Sequence, residues 1–328
     1  MRDFNSVKNS ILRIIFFPVA LLMFCDCSSD GPRDNPLDPV NGIQLSGQVQ
    51  RFYDTRPIDN AVIMLKPGNL IGRTNGGGNY TIDNISAGTF TIVCQADGFW
   101  PDSVEQTLEQ QATADFRLDA LPFFTNISIT TQHIFSFINS VDTFFVEFEV
   151  SADDPDGAGD VDFVHYSIDP FAFSDTLIQV SPQAQRYIGQ LELSDLGIAS
   201  IDELNGQPFT FFVEDLPGAI VSSGAQFITR IINETPVALA PVNTIIQPPF
   251  TFEWEAFPVT YSFSYDIQIF QINFNIFTLV DEITGIPSSQ TSVEYSRSLD
   301  RGEYFWVLFV IDEFGNKSRS VENPFTVP

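Results

Sequence analysis

The densest group of chemically competent side chains is a run of aspartates near the middle of the chain. Residues 153–162 read Asp153-Asp-Pro-Asp-Gly-Ala-Gly-Asp-Val-Asp162, with carboxylates at Asp153, Asp154, Asp156, Asp160 and Asp162. Ca²⁺ takes about six to eight oxygen ligands, and a glycine-bent acidic loop can supply them. The spacing is not that of an EF-hand loop, and Asp, Pro and Gly are also favoured in solvated turns. Calcium is therefore one hypothesis for this segment, and the sequence favours an ordinary turn.

Loop aromatics form a second group, which suits carbohydrate binding. Phe99 and Trp100 are adjacent, and Phe171 and Phe173 follow Asp169-Pro170. Aromatic rings present a flat apolar face on which a pyranose ring can stack, with amides and acids nearby for the hydroxyl groups. The alternative for Phe99 and Trp100 is packing against the edge of a β-sandwich.

Side chains suited to catalysis are scarce. The two histidines, His133 and His165, lie in strand-like segments and begin no zinc-binding pattern. Cys94 shares a strand face with Phe90 and Ile92, which predicts a buried thiol. Gly-x-Ser-x-Gly, Walker and Cys-x-x-Cys motifs are absent. We therefore expect no catalytic residue and no cofactor, Ca²⁺ apart. A secreted enzyme with an unrecognised site remains the alternative.

The charge of the chain excludes one class of partner. Its 328 residues carry 15 Lys and Arg against 42 Asp and Glu, a formal net charge of −27. Such a surface repels phosphate backbones, so we expect no nucleic-acid binding. The hydrophobic fraction of 44% is sufficient for packed cores.

The N-terminus is typical of a secretory signal peptide, predicted over residues 1–24. Basic residues precede an apolar run at 14–24, which is shorter than the roughly 20 residues that span a bilayer. Cys25 follows the run directly, and Leu22 stands three positions before it. This arrangement resembles the lipobox of bacterial lipoproteins, although Phe24 is larger than the residue usual there. Cys27 is the alternative acylation site.

The lipobox resemblance implies an acylated cysteine and a location in the bacterial cell envelope. We expect a membrane-anchored lipoprotein, at the outer membrane or cell surface. Residues 25–42 follow as a polar tether. Their Asp34-Asn-Pro-Leu-Asp-Pro39 stretch is incompatible with a helix or a central strand.

Residues 43–121 contain short strand patterns separated by turns. Strands are predicted at 44–50, 60–66, 79–84, 88–96 and 112–118, with a turn at Gly76-Gly-Gly78. The motifs Ser46-Gly-Gln-Val49, Gly78-Asn-Tyr-Thr-Ile82 and Gly98-Phe-Trp-Pro101 resemble the carboxypeptidase regulatory-like domain. The resemblance implies a prealbumin-like sandwich, grouped with carbohydrate-binding-like folds.

Residues 122–233 alternate with period two, most clearly where Phe144, Val146, Phe148 and Val150 share one face. Further strands are predicted at 162–168, 185–192, 209–214 and 225–231, with a short helical turn within 194–204. This spacing indicates an immunoglobulin-like β-sandwich without the Cys…Trp…Cys signature.

Residues 234–328 resemble a fibronectin type III domain. Trp254 stands at the position of the early core tryptophan of that family. Leu299, Gly302 and Tyr304 resemble its tyrosine corner, and Asp312 to Asn316 its late hairpin. The predicted fold class is therefore all-β, with three β-sandwiches in tandem after the signal, anchor and tether.

The function predicted from these features is non-catalytic. We expect a lipid-anchored envelope protein that acts as a binding or adhesion module or as a display stalk. Its partners would be the membrane, through the lipid, and a glycan or protein ligand at the cell surface. The first alternative is a carbohydrate-binding accessory protein that uses the first domain.

Overall fold

The computed structural model describes residues 42–136, 141–157, 159–181, 185–274 and 276–328. The predicted signal peptide, Cys25, Cys27 and nearly all of the predicted tether lie outside the described residues. Within these ranges, no helix has the length and apolar content needed to cross a membrane. Their regular structure is almost entirely β-strand in several sheets, which confirms the predicted all-β class.

The first module, residues 43–121, forms two sheets around one core. One sheet has the order β4-β1-β7, with β8 also paired to β1, and the other has the order β3-β2-β5-β6. The strands are β1 (Ile43–Arg51), β2 (Val62–Lys66), β3 (Leu70–Arg73), β4 (Asn79–Ile85), β5 (Gly88–Gln95), β6 (Asp102–Leu108), β7 (Ala112–Thr113) and β8 (Phe116–Leu118).

The core of the first module follows the predicted alternation. Leu45 and Val49 of β1 pack with Ile63 and Leu65 of β2, all fully buried, and Cys94 of β5 is also buried as predicted. The predicted glycine turn also holds: Gly78 has φ of +72°, and a Cβ there would lie 2.5 Å from the Val49 carbonyl oxygen. That position therefore accepts only glycine without strain.

The second module, residues 122–233, has the sheets β13-β14-β10-β9 and β12-β11-β15-β16. Its strands are β9 (Phe123–Ser136), β10 (Val141–Asp153), β11 (Val161–Ile168), β12 (Phe173–Thr176), β13 (Ile178–Ser181), β14 (Arg186–Glu192), β15 (Phe209–Asp215) and β16 (Ile220–Gln226). A short helix α1 (Leu193–Leu196) and a 3₁₀ turn at Ile201–Leu204 occupy the predicted helical region.

The buried face of the second module contains Val146, Phe148 and Val150, as their alternation predicted. The strand predicted at 225–231 is wrong, because β16 ends at Gln226 and residues 227–231 form no strand. Ile228 is buried in the core without strand pairing, so its apolar character reflects packing alone.

The third module, residues 234–328, has a three-stranded sheet β17-β19-β22 and a second sheet that includes β24-β23-β20-β21, with β25 paired to β23 and β18. Its strands are β17 (Ala238–Ala240), β18 (Thr244–Ile245), β19 (Phe250–Trp254), β20 (Phe263–Asn273), β21 (Ile276–Pro287), β22 (Ser292–Tyr295), β23 (Gly302–Asp312), β24 (Lys317–Arg319) and β25 (Asn323–Val327).

Two of the residue-level predictions for the third module, the core tryptophan and the tyrosine corner, are confirmed by the contacts of Trp254 and Tyr304. Trp254 is 2% exposed and packs edge-on against Tyr265, with ring centroids 5.3 Å apart. The hydroxyl of Tyr304 donates a hydrogen bond to the Asp300 carbonyl oxygen at 2.7 Å, which is the geometry of a tyrosine corner.

The second and third modules share a continuous sheet. Strand β24 pairs in parallel with the outer half of β9, so that Lys317 to Arg319 lie beside Gln132 to Ile134. We call this paired segment of β9 and β24 the seam. The side chain of Asn316 adds contacts to it, because its Oδ1 accepts from the amide of Thr131 at 2.9 Å and its Nδ2 donates to Thr229 at 3.2 Å. The two sandwiches are therefore joined by backbone pairing as well as by side chains.

Candidate functional site

The chain passes from the first module to the second through a short paired segment. The amide of Trp100 donates to the carbonyl oxygen of Asp119 at 2.8 Å, and the amide of Leu121 donates to Gly98 at 2.9 Å. Ala120 between them is buried. These bonds fix residue 119 at the end of β8, directly before β9 begins at Phe123.

The aspartate-rich loop joins β10 to β11 and faces this segment. Its turn closes by local hydrogen bonds, since the Gly157 amide donates to Asp154 at 3.1 Å and the Asp160 amide donates to Gly157 at 2.9 Å. Gly157 has φ of +130°, which a residue with a side chain rarely adopts. The loop thus folds back and turns part of its carboxylates toward the first module.

Five aspartates from the two modules meet here, and we call them the acidic junction: Asp119, Asp154, Asp156, Asp160 and Asp215. One carboxylate oxygen from each of Asp119, Asp156 and Asp160 lies within 4.8 Å of the others. Asp154 and Asp215, the latter at the end of β15, are close enough to act electrostatically on Asp119.

The four carboxylates that come from the second module share one bonding pattern. Each has one oxygen that accepts from a protein donor and one that is buried without a partner. Asp154 accepts from the amide of Asp156 (2.7 Å), and Asp156 accepts from the amide of Ala120 (2.9 Å). Asp160 accepts from the hydroxyl of Tyr53 (2.7 Å), and Asp215 accepts from the amides of Gly218 and Ala219 (2.8 and 2.6 Å). Both oxygens of Asp119 are buried without a partner.

The electrostatics of the acidic junction reflect crowded negative charge. Burial, with the neighbouring carboxylates, raises the pKa of Asp119 to about 7 and that of Asp154 to about 6. Burial also raises the pKa of Asp215. The hydrogen bond to Asp160 raises the pKa of Tyr53 to about 12, because it stabilises the protonated phenol. Burial is the larger cause of the raised carboxyl pKa values and repulsion the smaller, and a cation at this place would offset both.

The structure places the five aspartates predicted from the loop in two groups. Asp154, Asp156 and Asp160 belong to the acidic junction, whereas Asp153 and Asp162 are exposed. Asp119 and Asp215 were missed by sequence reasoning. The only local signal for either is its position directly after a predicted strand, which many surface aspartates share.

Phe99 lines a cleft of about 620 Å³ in the first module, and Trp100 is the next residue in the chain but does not line that cleft. Phe99 is half-buried and lines the cleft together with Asp59, Asn60, Arg73, Gln95 and Asp97. The guanidinium of Arg51 covers its ring at 5.6 Å. Trp100 is 49% exposed, so its ring is the more accessible aromatic surface of the two.

The remaining groups that could do chemistry are engaged in packing. His133 is stacked on Phe144 at 4.0 Å, and its Nε2 lies 2.7 Å from Oδ1 of Asp142. His165 is stacked on Phe212 at 4.8 Å, and burial lowers its pKa. Burial raises the pKa of the Cys94 thiol to about 12, which removes its nucleophilic form at neutral pH.

Comparison with solved structures returns β-rich proteins at low similarity. A C-terminal interface mutant of the type II cohesin–X-dockerin complex from Acetivibrio cellulolyticus is 11% identical with a TM-score of 0.20; the match covers 23% of this chain and 52% of that one. The chain thus spans about half the length of that relative.

Two longer matches cover most of this chain. The chicken CNTN1 FN1–FN3 domains are 10% identical with a TM-score of 0.31, over 83% of this chain and 92% of that one. BcpA, the major pilin subunit of Bacillus cereus, is 10% identical with a TM-score of 0.27, over 88% and 98%. At these TM-scores, neither match bears on the function of this chain.

No curated protein matches the chain. One family model does match, over residues 44–119, and it describes the carboxypeptidase regulatory-like domain. That segment is the one in which the motifs predicted this family, and the prediction is confirmed for the first module.

Proposed function

We propose that the chain is a non-catalytic, lipid-anchored protein of the bacterial cell envelope that serves as a display stalk or as a binding and adhesion module. The observation that carries this proposal is the continuous sheet between the second and third modules. Domains in one chain move relative to one another by default unless their interface is extensive. Backbone pairing between β9 and β24 opposes such motion and suits a part that holds a ligand-binding surface away from a membrane.

The chemistry of the described residues supports the non-catalytic part of the proposal. Both histidines are held in aromatic stacks, and the Cys94 thiol is buried in the first core. An enzyme needs titratable groups that converge on an accessible cleft. The carboxylates of the acidic junction converge, but they lie between the first and second modules, beside the chain segment that connects them. That position suits a structural role better than a substrate site.

The anchor is tested by replacing both candidate cysteines. We expect Cys25→Ser with Cys27→Ser to move the protein from the membrane fraction to the soluble fraction. Stable anchoring needs more than one acyl chain, and the double variant has neither candidate cysteine to carry them. The measurement is fractionation followed by immunoblotting, with Cys94→Ser as the control that keeps Cys25 and Cys27. Continued membrane association of the double variant would show that the lipid is not the anchor.

Carbohydrate binding by the first module is a second candidate, favoured by the cleft beside Phe99. Its lining combines an aromatic ring with the amides of Asn60 and Gln95 and the carboxylates of Asp59 and Asp97. Sugar sites use such a mixture, because the ring face is apolar and the hydroxyl groups need donors and acceptors. Trp100, which follows Phe99 in the chain, adds a second, exposed aromatic ring.

Glycan-array binding tests this second candidate. If the first module binds sugar through these aromatics, Trp100→Ala is expected to weaken binding by about tenfold or more, since a stacked aromatic contributes on the order of 1 kcal/mol or above. Phe52→Ala, a comparably exposed aromatic in the same module, is the control. A chain that binds no glycan on the array, or equal loss in both variants, counts against the carbohydrate role.

A further inference from the structure

We propose that the acidic junction is a calcium site that ties the first module to the second. The proposal goes beyond the function above and does not depend on the lipid anchor or on sugar binding. It rests on the placement and bonding of the five carboxylates, and it assigns the site residues from both modules rather than from the aspartate-rich loop alone.

The first argument is the supply of unused ligand atoms. Six carboxylate oxygens of the acidic junction are buried without a hydrogen-bond partner: both of Asp119 and one each of Asp154, Asp156, Asp160 and Asp215. Three of these side chains belong to residues that are at most 5% exposed, so bulk water does not solvate them: Asp154 (4%), Asp160 (5%) and Asp215 (1%). A buried polar atom without a partner costs free energy, and a buried charge without a partner costs more.

The second argument is that no Lys, Arg or His side chain among the described residues forms an ion pair with these carboxylates. Among the ion pairs of the described residues, none includes a member of the acidic junction. Arg56 lies within electrostatic range of Asp156, but its side chain is exposed and donates to Asp54. The hydroxyl of Tyr53 and the backbone amides supply hydrogen bonds but no positive charge.

The donor set selects calcium among the common metal ions. The ligand atoms that the described residues offer are carboxylate oxygens, which suit hard cations, and no imidazole or thiolate among those residues joins the group to favour zinc or copper. The three carboxylate oxygens that lie within 4.8 Å of one another, those of Asp119, Asp156 and Asp160, can share one ion, and calcium completes its six to eight oxygen ligands with neighbouring oxygens and water. Mg²⁺ prefers to keep several waters and binds through one or two carboxylates, so a site where three carboxylates converge beside two more fits it poorly.

The position of the ligands gives the metal a mechanical role. Asp119 belongs to the first module and the other four aspartates to the second, so a bound ion bridges the two. Tyr53 and Ala120 of the first module already donate to Asp160 and Asp156 across the same junction. Without the ion, mutual repulsion of the carboxylates opposes these contacts; with it, the contacts and the metal act together.

Calcium titration of the purified full chain tests the proposal. After chelation, addition of Ca²⁺ to about 100-fold above Kd should raise the melting temperature by about 5 °C or more, and an equal concentration of Mg²⁺ should not. Tb³⁺, which replaces Ca²⁺ in oxygen sites, should bind and emit on excitation of Tyr53, whose hydroxyl contacts Asp160. Ca²⁺ should also protect the segment around residues 119–123 from proteolysis.

Matched variants distinguish a site from general screening. Asp119→Asn should lower calcium affinity by about tenfold or more yet fold normally, because neither Asp119 oxygen accepts a hydrogen bond from the protein. Asp153→Asn and Asp162→Asn remove the same charge from exposed positions in the strands that flank the loop, Asp153 at the end of β10 and Asp162 near the start of β11, and should bind calcium as the parent does. The proposal is overturned if Ca²⁺ has no effect beyond Mg²⁺, or if Asp153→Asn weakens binding as much as Asp119→Asn.

Discussion

Replacing Trp254 with alanine is expected to destabilise the third module by about 3–5 kcal/mol. The indole is 2% exposed and lies on the buried face of β19 with Phe250 and Phe252, against Tyr265. Removing it leaves a cavity that these rings cannot fill without leaving their rotamers. The loss is comparable to the whole stability of many domains, which is about 5–15 kcal/mol. Calorimetry of the full chain should show one transition shifted or lost.

Hydrogen exchange locates the damage and supplies the controls. Amides of the third module and of the outer half of β9, which pairs with β24, should lose protection, whereas the first module should keep it because its core is separate. Trp254→Phe should cost much less, since it keeps an aromatic body and removes an indole N–H that has no partner. Trp100→Ala removes the same side chain where it is 49% exposed. Equal costs at Trp100 and Trp254 would contradict the packing argument.

The elements that could be predicted from the sequence are those with an apolar face. Strands such as β10 and β19 alternate because one side is buried, and the structure confirms their register. The predictions omitted β3 and β6, whose residues are mostly exposed; in β6 only Leu108 is buried. An edge strand with both faces exposed to solvent has no alternation of apolar and polar residues. Its existence and pairing therefore depend on the tertiary structure and cannot be predicted from its own sequence.

The seam between the second and third modules was equally inaccessible to sequence reasoning. Strand β24 contains only Lys317, Ser318 and Arg319, and no pattern of three residues identifies a partner in another domain. Its pairing with β9 depends on the length of the β9–β10 hairpin, which extends beyond its own sandwich to reach the third module. The sequence predicted three sandwiches and could not predict that two of them share a sheet.

The acidic junction could also be predicted only in part from the sequence. A run of aspartates in one loop was visible in the sequence, and three of its five members do converge. Asp119 and Asp215 join them because the residues that follow each are hydrogen-bonded to the loop: the amide of Ala120 donates to Asp156 and that of Leu216 to Asp160. Exposed and converging aspartates look alike in a sequence, so Asp153 could not be separated from Asp154 without the fold.

Arg230→Met is expected to lower the free energy of unfolding by about 2–4 kcal/mol, because it weakens the seam between the second and third modules. Arg230 lies in the connection between them, and its Nη1 donates to Oδ2 of Asp312 at 2.9 Å. The Asp312 side chain is fully buried, whereas that of Arg230 is 24% exposed. Removing the cation leaves a buried carboxylate without its counter-charge, and it also removes the guanidinium from the face of Tyr261, 4.1 Å away.

An exposed ion pair in the second module provides the matched control. Arg186 forms two hydrogen bonds to Glu149, at 2.8 and 2.7 Å, and both side chains are nearly half exposed. Arg186→Met should therefore cost only about 0–1 kcal/mol, although it makes the same chemical change. Adding Asp312→Asn to Arg230→Met should recover part of the loss, because the amide needs no counter-charge, and a double-mutant cycle by chemical denaturation measures that coupling. If both arginine variants cost the same and the second substitution recovers nothing, burial of Asp312 does not hold the two modules together, and the paired backbone of β9 and β24 alone accounts for the seam.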